Sequence, residues 1–279
     1  APAFSLVAVV VILAIYVYLT YRRLNPVESD VRSGLFASVA EWAVVKTRRM
    51  QAAPERTWKP VALVPVTSSA ELAGSYLFLR AMTSPKGMVH ALGICPPGQG
   101  EKLEGLEQLT EAFLDDDIYA QATYLEEEDF INAMRITTQV LRGSFFRPNI
   151  LFLHLRPDSD LAQLQQLVDK TAAYRMGIAL MSRHPLTALG REQLINVWMS
   201  PQGPDWQTDL RQSNLDLAIL LAYHLAENWD GRISLCRAVV GANMAERART
   251  FIKELISLTR LPGKTKTIGL QGGFEDALL

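Results

Sequence analysis

The chain has 279 residues, 49% of them apolar, with 28 Lys and Arg against 29 Asp and Glu for a net charge of −1. That length can bury one large core or two modest ones, and near-neutrality argues against a nucleic-acid partner, which clustered Lys and Arg would announce. Cys95 and Cys236 both sit inside apolar runs; they exclude a disulfide framework, favour a reducing compartment and read as small core residues.

Phe4–Thr20, "FSLVAVVVILAIYVYLT", carries no charge, and Tyr21-Arg22-Arg23 follows it. A helix of that length spans about 26 Å, a little short of the ~30 Å hydrocarbon core. The arginines after the run read as a cytoplasmic stop, and the tyrosines suit the membrane interface. Residues 4–20 are therefore expected to enter the membrane, and residues 1–23 to be the end of the last transmembrane helix of a longer protein. The expected location is the cell membrane, with residues from about 24 onward on the cytoplasmic side.

Residues 24–58 read as a juxtamembrane amphipathic helix with a linker. The helix is expected over Asp30–Met50, with Val31, Leu35, Val39, Trp42 and Lys46 near one stripe and Phe36, Ala43 and Val44 beside it. Such a stripe needs a partner. Leu35, Phe36, Val39 and Trp42 are its interface candidates, against a second copy of the chain, the membrane surface or the globular part.

From Lys59 onward strands and helices alternate. Strands are predicted at Val61–Val66, Gly87–Cys95, Asp117–Leu125, Asn149–Leu155, Gly177–Ser182, Leu194–Met199, Arg232–Val240 and Lys266–Leu270. The helices between them fall at Ala70–Met82, Leu103–Phe113, Asp129–Leu141, Asp158–Ala173, Asp209–Glu227 and Asn243–Leu258, with Ser68 and Glu71 forming a capping-box pattern for the first. This alternation predicts an α/β fold with mainly parallel sheets flanked by helices.

One phrase occurs twice. "KPVALVPV" at Lys59–Val66 and "RPNILFLHL" at Arg147–Leu155 both run from a basic residue and a proline into an apolar strand, 88 positions apart. From each proline the next strand opens at a glycine, 27 residues on at Gly87 and 29 on at Gly177. The matched spacing predicts two related α/β subdomains, residues 59–147 and 148–279.

Catalytic signatures are sparse. There is no phosphate-binding glycine loop after a strand and no nucleophile elbow. His90, His154, His184 and His224 have no metal-ligand spacing. No enzyme activity, cofactor or metal is expected. The nearest nucleotide candidates are Ser68, Ser69 and Arg147, on the premise that parallel sheets bind ligands beyond the carboxyl ends of their strands.

Several stretches in order resemble the cytoplasmic C-terminal domain of cation–chloride cotransporters. They are "DVRSGLFASVAEWAVVKTRRM", "WKPVALV", "GSFFRPNILFLHL" with Gly143, Arg147, Pro148 and Asn149, and the block from Ile195 to Val240. In that block Ile195, Trp198, Asp209, Leu215–Ala222, Trp229, Ile233 and Cys236 hold the matching positions. The resemblance implies a regulatory, homodimer-forming domain of a secondary transporter that carries chloride with sodium or potassium. Its partners would be a second copy and the transmembrane domain of the same polypeptide. It also implies subdomains related to the universal stress protein fold, and hence, as the alternative function, a nucleotide-binding sensor. That fold's nucleotide signature is not in place: the one glycine pair of suitable spacing, Gly269 and Gly272, comes only near the end.

Overall fold

The computed structural model describes residues 7, 9–14, 31–50, 58–155, 159–173, 176–184, 187–199, 215–259, 261–262 and 264–272. It divides into two compact units, Ala1–Thr57 and Trp58–Leu279. In the first unit residues 7 and 9–14 are helical with exposed side chains. The rest of the expected membrane segment lies outside the described residues, and no described helix is long and apolar enough to cross a membrane. Helix α1, Val31–Met50, forms where the sequence predicts it.

The second unit begins with a five-stranded, all-parallel sheet in the order β3-β2-β1-β4-β5. Its strands are β1 (Val61–Val66), β2 (Met88–Cys95), β3 (Tyr119–Glu126), β4 (Ile150–His154) and β5 (Gly177–Met181), each within two residues of its predicted start. Their connections carry α2 (Ser69–Thr83), α3 (Leu106–Asp115), α4 (Phe130–Leu141) and α5 (Leu161–Ala173). Every residue of β1 is buried, as an apolar run between two covered faces requires. Strand pleating sends alternate side chains to opposite sides. Ala62, Val64, Val66, Val89, Ala91, Ile150 and Phe152 join one core with Leu72, Leu79, Leu106 and Phe113 of α2 and α3. Leu63, Leu92, Ile94, Leu151 and Leu153 join the other, with Ile131 and Met134 of α4 and Leu167 of α5.

The repeated phrase builds two adjacent strands. β1 and β4 pair directly, Ala62 opposite Ile150 and Leu63 opposite Leu151. Both βαβ units also have the same reach, since Val61 pairs Met88 and Ile150 pairs Gly177. The second copy of the unit thus extends the first sheet away from β1 instead of founding a new one. The predicted boundary at 147/148 is accordingly corrected: β4 and β5 are hydrogen-bonded members of the first sheet. Repeated spacing identifies a unit but not the edge on which it is added.

A second, three-stranded parallel sheet follows, in the order β6-β7-β8, from β6 (Leu194–Trp198), β7 (Arg232–Val239) and β8 (Lys266–Gln271). Helix α6 (Leu215–Trp229) connects β6 to β7, and α7 (Ala242–Thr259) connects β7 to β8. Buried Leu215, Ile219, Ala222 and Ala226 follow a helical period along α6 and join the α2 and α3 side of the core, with Phe251, Ile252 and Leu255 of α7. A Cβ on Gly177 would meet the end of the Leu217 side chain of α6, which would have to turn aside, so the helix packs close over the start of β5. Asn228 Nδ2 donates to the carbonyls of Ala81 (2.8 Å) and Ser84 (3.1 Å), tying α6 to the end of α2. Both cysteines are buried free thiols, and burial pushes the Cys236 thiol up.

Candidate interaction surfaces

At the carboxyl end of β1, Ser68 precedes α2 in an extended conformation, but its side chain makes no capping hydrogen bond. The Glu71 carboxylate instead accepts from Thr67 N (2.9 Å) and Thr67 Oγ1 (3.1 Å), one residue earlier than the capping box predicts. A carboxylate already occupies this turn, where a phosphate would suffer like-charge repulsion.

Arg147 lies at the opposite end of the sheet. The register that sets Ile150 opposite Ala62 puts Arg147 level with Lys59, at the amino end of β1. The six residues of β1 lie between that level and Ser68, about 20 Å at 3.3 Å per residue. Ser68, Ser69 and Arg147 therefore cannot meet one phosphate, and the nucleotide reading built on them is corrected. The sequence placed all three in β-to-helix or helix-to-β turns without distinguishing which turns share an end.

At that amino end the structure holds a stitch that sequence reasoning used only as a family marker. Asn149 Oδ1 accepts from Val61 N (2.9 Å) and Asn149 Nδ2 donates to Lys59 O (2.7 Å). Its amide stands in for a peptide group and carries the β1–β4 ladder past Pro60 and Pro148, which have no N–H to give. A proline followed by a short amide side chain was the signal available. Beside it is a small cleft of about 10 Å³, room for a single water, lined by Leu63, Leu141 and Met176 together with Arg142 and Arg147. That volume is below the ~300–1,000 Å³ of ordinary small-molecule sites. His90 of β2 points its Nε2 at Phe146 O, 3.1 Å away; burial pulls its pKa below the ordinary 6.5 and the carbonyl opposes the shift.

Of the interface candidates on α1, Phe36, Val39 and Trp42 are exposed, Trp42 at 66% of its surface, as is Val45. The Leu35 side chain lies outside the described residues. Residues 36, 39, 42 and 45 advance by three, so each step turns 60° around the helix. The apolar positions consequently sweep across about half of α1 rather than holding the single narrow stripe expected. Among the described residues no group of His, Cys, Asp or Glu could hold a metal ion.

Residues 64–189 match the model of the first part of the prokaryotic cation-chloride cotransporter C-terminal domain, and residues 190–277 match that of the second part. The chain belongs to the prokaryotic cation–chloride cotransporters. The family models divide at residue 189, in the connection between the two sheets and not at 147. A crystal structure of the cytoplasmic domain of a prokaryotic cation chloride cotransporter is 34% identical, over 77% of this chain and 80% of that one, with a TM-score of 0.68. A universal stress protein from Archaeoglobus fulgidus DSM 4304 is 10% identical over 78% of this chain and 79% of that one, with a TM-score of 0.41. No curated protein matches the chain. The matched region is the cytoplasmic C-terminal part of such a cotransporter. Four of the residues that carried the sequence resemblance meet in the second sheet of the cotransporter domain, where Ile195 pairs Ile233 and Trp198 pairs Cys236; Asp209 lies outside the described residues. Trp229 packs edge-on against Phe78 of α2, with ring centroids 6.2 Å apart.

Proposed function

We propose that this cytoplasmic part regulates and dimerises a secondary transporter carrying chloride with sodium or potassium, and that a second copy of the chain covers the apolar side of α1. The reading rests on Phe36, Val39 and Trp42, large apolar side chains left exposed on a helix that precedes the family-matched residues. Its partners are itself and the transmembrane domain of the same polypeptide, with residues 4–20 in the membrane. Burying Phe, Val and Trp side chains contributes about 1.5–3 kcal/mol for each of the aliphatic and aromatic groups fully covered. Three such residues, repeated by two-fold symmetry, supply an appreciable driving force for association.

The deciding experiment is sedimentation of the full chain with and without Leu35→Glu and Trp42→Glu. A dimer that dissociates in the double variant supports the reading. A wild-type monomer at high micromolar concentration rejects it. A dimer unchanged by the two substitutions moves the interface away from α1.

A further inference from the structure

β3 forms one edge of the five-stranded sheet, and among the described residues no strand pairs its outer side. Glu127 N donates to Cys95 O (2.9 Å), which fixes the alternation of the ladder. Odd-numbered residues of β3 turn their backbone groups toward β2, while Ala120, Ala122, Tyr124 and Glu126 turn theirs outward. Among the described residues these four make no backbone hydrogen bond to another segment on the open side. Edge strands are ordinarily protected by lysine, proline, a bulge or shortness. β3 has eight residues, "YAQATYLE", and pairs β2 in continuous register with neither proline nor lysine.

The surroundings of this edge are strongly acidic. Residues 101–129 contain eleven Asp and Glu and one basic residue, Lys102. Among the described residues Asp116 alone of these acids forms an ion pair, with Arg80 at 2.8 Å. Glu107 and Glu111, one turn apart, are exposed on α3. α3, which carries both, packs against β3; burial first, and the Glu107 carboxylate second, push the Tyr124 phenol up. Glu126 and Glu128 are exposed where the strand ends.

Pairing β3 with the same strand of another copy would bring two such acidic tracts together at a strand spacing of about 4.8 Å, well inside the ~8 Å screening length of physiological salt. The charge thus opposes self-pairing and selects the opposite sign. We propose that the open edge of β3 takes an extended cationic peptide segment of another protein by strand addition, with Glu107 and Glu111 alongside it and Glu126 at its end. Backbone pairing supplies the register, and the carboxylates choose the partner. This surface is separate from α1 and does not depend on the dimer reading above.

The test uses the full chain and a fluorescein-labelled decapeptide of alternating arginine and threonine. Anisotropy should report binding that weakens by about tenfold or more when salt rises from about 50 to about 300 mM. Hydrogen exchange should show the amides of Ala120, Ala122, Tyr124 and Glu126 slowed by about tenfold or more on binding. Tyr124→Pro removes an outward N–H while leaving the ladder to β2 intact; it should abolish binding, whereas Tyr124→Ala should keep it within about twofold. Glu107→Lys with Glu111→Lys should weaken binding about tenfold. A urea midpoint for each variant separates lost binding from lost fold. Equal binding by a folded Tyr124→Pro variant, or protection elsewhere on the chain, overturns the proposal. So does sedimentation showing that Tyr124→Pro dissociates a dimer, which would give the edge to a second copy.

Discussion

Helices α6 and α1 are both rich in apolar residues, yet one is covered and the other is not. In α6, Leu215, Ile219, Ala222 and Ala226 are buried in the core of the globular unit. In α1, Phe36, Val39, Trp42 and Val45 stand exposed. The difference is one of period as well as position: α6 repeats at four and three residues and so keeps one face, while α1 repeats at three and spirals. A helix that keeps its face serves a single core. One that spreads apolar groups over half its circumference offers no single face to a core.

The largest effect belongs on the covered helix. Ile219→Ala should destabilise the protein by about 2–5 kcal/mol, because the lost methylenes leave a cavity that neighbouring strands cannot close. The measurement is the urea midpoint at constant m-value. A loss below about 1 kcal/mol would mean that α6 is not the helix holding the two sheets together, and the contrast with α1 would fail.

Next comes the stitch between the twin strands. Asn149→Ala leaves Val61 N and Lys59 O without their partner and should cost about 1–3 kcal/mol. Asn149→Asp keeps an acceptor for Val61 N but sets a carboxylate against the Lys59 carbonyl, so its cost should exceed zero and need not match alanine's. Equal stability of wild type and Asn149→Ala would show that β1 and β4 hold register by packing alone.

Much of this architecture was legible before any coordinates. Apolar β-branched runs after Lys59-Pro60 and Arg147-Pro148 announced the two central strands, and polar turns between periodic segments set the helices. Strand partnership was not legible, because periodicity tells which residues are extended and says nothing about which strands lie side by side. Hence the second βαβ unit was assigned to a separate domain when it completes the first sheet. The same blindness placed Arg147 with Ser68, at opposite ends of a six-residue strand about 20 Å long. The cap at α2 slipped by one residue because Glu71 can reach Thr67 as easily as Ser68, and side-chain reach does not show in spacing. Phe36, Val39 and Trp42 were singled out from sequence as apolar positions of a helix, and they stand exposed; a second copy is proposed above to cover them.

A smaller effect comes from acid. His90 is covered on β2, and its pKa is depressed mainly by burial. The unfolded chain therefore binds the proton more readily, near the ordinary 6.5, so stability is full above that pH and is lost as pH falls from there through the depressed value. Thermal melts across that window should show Tm falling with pH, and the fall should shrink in His90→Gln, which can still donate to Phe146 O. An unchanged slope in that variant would assign the acid sensitivity to other groups.

The smallest expected effect on stability is the most informative about α1. Trp42→Glu replaces an exposed side chain, so the urea midpoint of the dilute protein should stay within about 0.5 kcal/mol of wild type. Self-association at high concentration should fall in the same variant, because an introduced carboxylate at the centre of an apolar contact must be desolvated without a partner. The two readouts have to move separately. If Trp42→Glu lowers the dilute urea midpoint as far as Ile219→Ala does, the α1 surface is covered within one chain, and its apolar side chains have the same structural role as those of α6.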